Sequence, residues 1–112
     1  MELRIRESQE IYVIDVQGEL DLYNAYKLKE LLAKMLEKKI ERFIINLDEV
    51  EYIDSSGIGV LVYISSTVEK LNLKLAITNI HGPVQKVMEL TKLMGYFPIT
   101  ATLDEAMKKV GG

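Results

Sequence analysis

Val50-Glu51-Tyr52-Ile53-Asp54-Ser55-Ser56-Gly57-Ile58-Gly59-Val60-Leu61 is the stretch that decides the fold of this chain. Two adjacent serines and two glycines stand in it, with apolar residues on either side. A short polar connection of this kind is typical of a loop that leads from a buried strand into the N-terminus of a helix. We therefore predict a strand, a loop and then a helix, which begins at Ser56 or Gly57.

The residues before this stretch predict a hairpin, a helix and a central strand. Hydrophobic residues alternate with polar ones on both sides of Glu7-Ser8-Gln9-Glu10, as in two short antiparallel strands joined by a polar turn. Between Ala25 and Leu36, hydrophobic residues recur at three- and four-residue spacing, which indicates an amphipathic helix that Asp21 or Asn24 caps. Phe43-Ile44-Ile45-Asn46-Leu47 is typical of a strand that is covered on both faces.

The residues after the stretch predict the remaining elements. Lys74-Leu75-Ala76-Ile77-Thr78 indicates a strand, and Pro83 suits the first turn of a third helix. Phe97-Pro98-Ile99 predicts a short edge strand, and Thr102-Leu103-Asp104-Glu105 is a capping box that begins the last helix. Strands that alternate with helices after a hairpin indicate an α/β fold, with a mixed sheet of four to five strands and about four helices. We expect a single domain.

Composition narrows the range of possible functions. The chain has 112 residues, 48% of them hydrophobic, a formal net charge of −3 and no cysteine. Its basic residues are scattered among acidic ones, which argues against direct binding of nucleic acid. No apolar run approaches the roughly 20 residues of a membrane-spanning helix, and the N-terminus lacks the pattern of a signal peptide. We expect a cytoplasmic protein without direct nucleic-acid or membrane contact.

The two serines at the predicted helix N-terminus are the residues best suited to chemical modification. A helix N-terminus carries about half a positive charge and exposes unpaired amides. The local backbone would therefore hold a phosphate on Ser55 or Ser56 without unfolding of the domain. The same segment also fits a structural role, in which Asp54 and the serines cap the helix and the glycines allow a tight turn. Local chemistry leaves both interpretations open.

Other kinds of site find little support. A hydrolase nucleophile elbow requires Gly-x-Ser-x-Gly, but Ile53 and Asp54 stand two residues before the serines. A dinucleotide-binding fingerprint requires glycine at the position of Val62, and no Gly-Lys-Ser/Thr occurs, which leaves weak nucleotide contact as an open possibility. His81 is the single histidine, and the carboxylates are dispersed. We expect no enzyme activity, no metal and no cofactor.

Motifs spread over nearly the whole chain share the pattern of one family. Asp54-Ser55-Ser56-Gly57-Ile58-Gly59-Val60 is similar to a phosphorylation motif of the form Asp-Ser-Ser/Thr-Gly-Leu/Ile-Gly. Gly18-Glu19-Leu20-Asp21 resembles Gly-Glu-Leu/Phe-Asp, and Asn46-Leu47-Asp48-Glu49-Val50 resembles Asp-Leu-Ser-x-Val, with Asn46 in place of a frequent Asp. The segment from Asn79 to Val84 occupies the place of a loop before the third helix. The segment from Leu90 to Gly95 resembles Leu-x-x-x-x-Gly-Leu, with tyrosine in place of the last residue. These motifs resemble those of the anti-sigma-factor antagonists, which are STAS domains.

The resemblance implies a regulatory switch and a STAS fold over residues 1–112. In this family, the unphosphorylated antagonist binds an anti-sigma factor that is also a serine kinase, which frees the sigma factor. Phosphorylation then separates the two proteins, and a serine phosphatase resets the antagonist. The implied acceptor in this chain is Ser56, with Ser55 as the second choice, and we expect a monomer when the chain is free. The implied partner-binding residues are Asp21, Asp54, Ser55, Ser56, Gly57, Ile58, Gly59 and Asn79.

Several alternatives stay open within this resemblance. Asp21 and Asp54 fit helix capping as well as partner binding, while Gly57 and Gly59 fit either helix–sheet packing or the close approach of a partner. The chain also fits a STAS scaffold or transporter-associated subunit that is not regulated by this phosphorylation. The intact Asp-Ser-Ser-Gly motif favours the switch, because transporter-linked versions are usually fused and often lack a phosphorylatable residue.

Overall fold

Residues 1–111 are described by a computed structural model, and within them strands alternate with helices. The elements in chain order are β1 (Glu2–Ser8), β2 (Ile11–Leu20), α1 (Ala25–Glu37), β3 (Arg42–Ile53), α2 (Ser55–Lys70), β4 (Lys74–Thr78), α3 (Gly82–Leu90), β5 (Ile99–Thr100) and α4 (Leu103–Gly111). The predicted α/β fold is confirmed for this part of the chain.

The strands form one mixed sheet in the order β1-β2-β3-β4-β5. β1 and β2 are antiparallel, and each other neighbouring pair is parallel. The turn between β1 and β2 consists of Gln9 and Glu10, whose φ angles are both positive at 54° and 65°. Two consecutive left-handed residues match the twist of a tight hairpin. The sheet is therefore opened by the predicted hairpin.

Helices cover both faces of the sheet. α1, α2 and α3 pack on one face, where Phe43 and Ile45 of β3 are fully buried. α4 packs on the other face, where Ile44 of β3 belongs to one cluster with Ala106 and Val110. β3 is thus apolar on both faces, which explains its continuous hydrophobic run. No helix within residues 1–111 is long and apolar enough to span a membrane.

The strand that leads to the two serines is longer than predicted. β3 continues to Ile53, because its second half pairs with the end of β2 and buries Val50 and Ile53. The connection between β3 and α2 is consequently a single residue, Asp54. α2 begins at Ser55, one residue earlier than the earliest predicted start.

The last strand is displaced from its predicted position. β5 covers Ile99–Thr100, whereas residues 97–99 were expected. Pro98 has no amide proton and cannot donate to a strand ladder, but its carbonyl accepts a hydrogen bond from the Ile77 amide at 2.9 Å. The regular pairing with β4 therefore begins one residue after the proline.

Candidate functional site

Two strand ends lie side by side next to the N-terminus of α2. In the sheet register, Leu20 at the end of β2 pairs with Ile53 at the end of β3. The Leu20 carbonyl also accepts a hydrogen bond from the Asp54 amide at 3.4 Å. Because Asp21 and Asp54 each follow one of these strands, they are brought to the same edge of the sheet.

Asp54 binds backbone amides from two separate segments. Its Oδ1 accepts hydrogen bonds from the amides of Ser56 at 2.9 Å and Gly57 at 3.2 Å, which makes Asp54 the N-cap of α2. Its Oδ2 accepts a third bond from the Leu22 amide at 3.0 Å. One carboxylate therefore joins the first turn of α2 to the loop between β2 and α1.

Asp21 orders that loop through hydrogen bonds between its side chain and the loop backbone. Its buried carboxylate accepts hydrogen bonds through Oδ1 from the amides of Tyr23 at 3.0 Å and Asn24 at 3.1 Å. The Asn24 side chain donates a further bond to the same oxygen at 3.1 Å and makes no capping bond to the helix. Of the two residues predicted to cap α1, Asp21 therefore arranges the entry to the helix, and it does so as an Asx-type turn.

The two serines stand in the first turn of α2 with unbonded hydroxyls. Ser55 is exposed and Ser56 is half-buried, and neither hydroxyl bonds to another residue within the described range. The amides of Ser56 and Gly57, which were expected to hold a phosphate, are already bonded to Asp54. A phosphate on either serine would therefore meet a fixed negative charge rather than a row of unpaired amides.

The two glycines of the motif have different surroundings. A Cβ atom at Gly57 would lie 2.1 Å from the Leu20 carbonyl oxygen and 2.7 Å from Cγ1 of Ile53, so α2 rests directly on the ends of β2 and β3. A Cβ atom at Gly59 would have no neighbour within 4 Å. Helix–sheet packing therefore accounts for Gly57. Gly59 instead leaves the backbone of α2 open to an approaching molecule.

The predicted partner-binding residues divide into a surface layer and a supporting layer. Ser55, Ser56 and Gly59 lie at least partly on the surface of α2. Gly57 and Ile58 are buried in contact with the sheet, and they fix the position of the surface residues. The sequence did not predict the hydrogen bond between Leu22 and Asp54. This bond joins residues 32 positions apart, and no local sequence pattern indicates it.

Asn79 belongs to a second polar network. Its side chain donates to Asn46 Oδ1 at 2.9 Å, and Asn46 Nδ2 donates to Asp15 Oδ1 at 2.8 Å. Asp15 in turn accepts a pair of bonds from Arg6, at 2.6 and 2.8 Å. Within residues 1–111, no side-chain hydrogen bond joins this network to Asp54 or to the residues that its carboxylate binds. Asn79 therefore belongs to a hydrogen-bond network separate from that of Asp54.

The same network explains an unusual residue in the sequence. Asn46 stands where a carboxylate is frequent in the family that the chain resembles, and it pairs with Asp15 across two parallel strands. The amide donates to Asp15 and accepts from Asn79, so each of its polar atoms has a partner. A carboxylate at this position would instead face the carboxylate of Asp15.

The Asp15 carboxylate has a shifted pKa. Burial by itself raises the pKa of Asp15, but the hydrogen bonds from Arg6 and Asn46 and the nearby positive charges outweigh this effect. The pKa of Asp15 therefore lies below its ordinary value. The hydrogen bonds from Arg6 and Asn46 therefore favour the ionised form of Asp15.

Acidification is expected to remove the contribution of Asp15 to stability. A carboxylate with a lowered folded-state pKa stabilises the fold above its unfolded pKa of about 3.9, and this contribution is lost as the pH falls through the folded pKa. Between about pH 6 and pH 2, Asp15→Asn should lose less free energy of unfolding than the wild type in urea titrations. Glu89→Gln removes an exposed carboxylate of α3 and should follow the wild type. An identical pH dependence of Asp15→Asn and the wild type would contradict this assignment.

Comparison with known proteins identifies the family to which this chain belongs. The family model described as the STAS domain matches residues 2–106. The anti-sigma-B factor antagonist of Staphylococcus aureus is 30% identical over 82 residues, which are 73% of this chain and 76% of that protein.

Solved structures share the fold of this chain. The crystal structure of the Thermotoga maritima protein TM1081 has a TM-score of 0.90 and 26% identity, and the match covers 98% of this chain and 95% of that one. The anti-sigma factor antagonist SpoIIAA, in its unphosphorylated form, has a TM-score of 0.74 and 22% identity, with 99% of each chain covered. SpoIIAA has also been solved in its phosphorylated form. From the family match and its named relative, this chain belongs to the STAS domain family, and its relatives include anti-sigma factor antagonists.

Proposed function

We propose that this chain is an anti-sigma-factor antagonist that phosphorylation switches off. In its unphosphorylated form it binds an anti-sigma factor that is also a serine kinase, and the sigma factor is released. The kinase then phosphorylates Ser56, the complex separates, and a serine phosphatase restores the free form. The observation that carries this proposal is the unbonded Ser56 hydroxyl, held in a helix start that Asp54 caps. We further propose that the protein acts in the cytoplasm as a monomer, without a metal or cofactor.

The geometry supports release by charge rather than by unfolding. Neither serine hydroxyl has an internal hydrogen bond within the described residues, so phosphorylation of either one breaks no such bond. The phosphate adds roughly −1.5 to −2 charges beside the Asp54 carboxylate. Asp54 is held by three amides and cannot turn away without releasing them. The partner must then accommodate a local charge of roughly −2.5 to −3, and an interface fitted to a neutral serine cannot do so at low cost.

The surface that the partner covers follows from the exposed residues of α2. Ser56, Gly59 and Tyr63 are separated by three and four positions, so they form one stripe along the helix. The absence of any neighbour around Gly59 allows a partner to come close to the backbone beside Ser56. Gly57 and Ile58 hold this stripe in place from the buried side of α2, and Asp21 orders the neighbouring loop before α1. Asn79 contributes to partner binding from a separate position, directly after β4, where it bonds to Asn46.

Phosphorylation in vitro tests the proposal and its acceptor. The purified chain is incubated with ATP and each histidine-kinase-like serine kinase encoded in the same genome, and the product is analysed by intact and fragment mass spectrometry. We expect one phosphate on the wild type and on Ser55→Ala, and none on Ser56→Ala. Ser66→Ala, in the third turn of α2, is the matched control and should be phosphorylated like the wild type.

Each other outcome changes the proposal in a defined way. Phosphate lost only in Ser55→Ala would keep the mechanism and move the acceptor by one residue. A chain that neither binds nor is phosphorylated by any of these kinases would overturn the switch. That result would favour the scaffold or transporter-associated alternative.

A further inference from the structure

Two large apolar side chains project from the loop between β2 and α1. Leu22 is 66% exposed and Tyr23 is 78% exposed, and they are consecutive in the chain. Single exposed hydrophobic residues are common on protein surfaces, but an adjacent pair on an ordered loop is a candidate contact site. These two residues form the Leu22–Tyr23 turn.

The backbone of the Leu22–Tyr23 turn is fixed by carboxylates. The Leu22 amide donates to Asp54, and the Tyr23 amide donates to Asp21. Asp21 also binds the Asn24 amide through the same oxygen. A side chain presented by a rigid backbone loses little conformational entropy when it binds, so such residues make effective interface anchors.

The Leu22–Tyr23 turn is continuous with the proposed acceptor site. Asp54 binds the Leu22 amide with one oxygen and the Ser56 amide with the other, so a partner that covers Ser56 also reaches Leu22. The surface extends further along α1, where Lys29 lies 4.2 Å above the ring of Tyr63 from α2. Tyr26, three residues before Lys29 on α1 and therefore on the same side of the helix, is also exposed.

We propose that the Leu22–Tyr23 turn is an apolar anchor for the kinase that phosphorylates this chain, seated in an apolar cleft beside the kinase's phosphoryl-transfer site. This inference rests on the proposed function. The anchor supplies affinity that does not depend on the state of Ser56, whereas the serine supplies the switch. The kinase thus recognises both the Leu22–Tyr23 turn and Ser56, and the Asp54 carboxylate keeps the two at a fixed separation.

Affinity measurements with the kinase that phosphorylates the wild type test the anchor. We expect Leu22→Ala and Tyr23→Ala each to raise Kd at least tenfold, which is a typical effect for an interface anchor. Tyr23→Phe keeps the ring and should stay within about twofold of the wild type. Leu90→Ala removes another exposed leucine, 82% accessible on α3, and should leave Kd unchanged. Because the mutated side chains are exposed, thermal unfolding should be nearly the same in all variants.

Phosphorylation kinetics separate an anchor from a residue that orders the acceptor. Leu22→Ala and Tyr23→Ala should raise KM at least tenfold and leave kcat within about twofold, because the acceptor geometry is maintained by Asp54 through backbone bonds. A fall in kcat at unchanged KM would overturn the anchor and assign the turn a positioning role.

The possible failures of the anchor and of the proposed function are distinguishable. A kinase that phosphorylates Ser56 and binds both alanine variants like the wild type would reject the anchor alone. A wild type that self-associates through the turn, with dimers lost in the variants and kinase affinity unchanged, would assign the turn to a second copy of the chain. Binding of the wild type to no kinase at all would reject both proposals.

Discussion

Gly57→Ala is expected to lower the free energy of unfolding by roughly 3 kcal/mol, or to prevent folding altogether. The added Cβ would lie 2.1 Å from the Leu20 carbonyl oxygen, which is a backbone atom inside the sheet. α2 and β2 cannot move apart without loss of the bonds that join Asp54 to the first turn of α2, to the Leu20 carbonyl and to the Leu22 amide. The gain of about 1 kcal/mol in helix propensity from glycine to alanine is too small to compensate. Urea denaturation followed by circular dichroism measures the difference.

Gly59→Ala is the matched control for this substitution. It introduces the same methyl group two residues further along α2, where no atom lies within 4 Å. Only the higher helix propensity of alanine then affects stability, so the free energy of unfolding should rise by about 0.5 to 1 kcal/mol. If both variants changed stability equally, the close packing of α2 on the strand ends would be wrong. The control is also informative for binding, because a methyl group at Gly59 stands in the path of the proposed partner.

Phosphorylated Ser56 is expected to reduce affinity for the kinase at least a hundredfold, which corresponds to about 2.7 kcal/mol. The physical reason is the charge of roughly −1.5 to −2 that is placed next to the fixed Asp54 carboxylate. Ser56→Asp should reproduce part of the effect, since it introduces a single negative charge. The affinity of each form is measured by titration calorimetry against the kinase without ATP.

The controls for this prediction separate charge from folding. Ser8→Asp adds one negative charge at the end of β1, next to the start of β2 and therefore at the opposite end of that strand from Leu20. It should bind like the wild type. Thermal unfolding of the phosphorylated chain should stay close to that of the unmodified chain, because the serine hydroxyl has no internal bond within the described residues. Equal affinities of the phosphorylated and unmodified chains would show that the modification does not control binding.

Local patterns predicted the elements that depend on hydrophobic periodicity. The alternation around residues 7–10 and the spacing from Ala25 to Leu36 each gave the right type of element, because burial on one face determines both. The extent of β3 was harder to predict. Residues 48–53 contain three acidic residues and looked like a loop, but their pairing with β2 makes them a strand. Pairing between distant segments is not visible in a local window.

In the site, too, features set by neighbouring residues could be predicted, and features set by distant residues could not. Capping by Asp54 was foreseeable, since aspartate before a helix commonly binds the first amides. The separate roles of Gly57 and Gly59 were not foreseeable, because they depend on where the Leu20 carbonyl lies. The Leu22–Tyr23 turn has a sequence signal, namely two large apolar residues directly after Asp21 and before an amphipathic helix. A burial pattern alone cannot say whether such residues face the core or the solvent.

Because of the bond from the Leu22 amide to Asp54, the proposed acceptor site depends on the folding state of the chain. The two residues are 32 positions apart, so their contact forms only after β2 and β3 have paired. A nascent or damaged chain can contain the full Asp-Ser-Ser-Gly motif and still lack the arrangement of Asp54, Ser56 and Leu22. A kinase that recognises this arrangement would ignore unfolded copies and short peptides. Only folded copies of the chain would then respond to the proposed kinase.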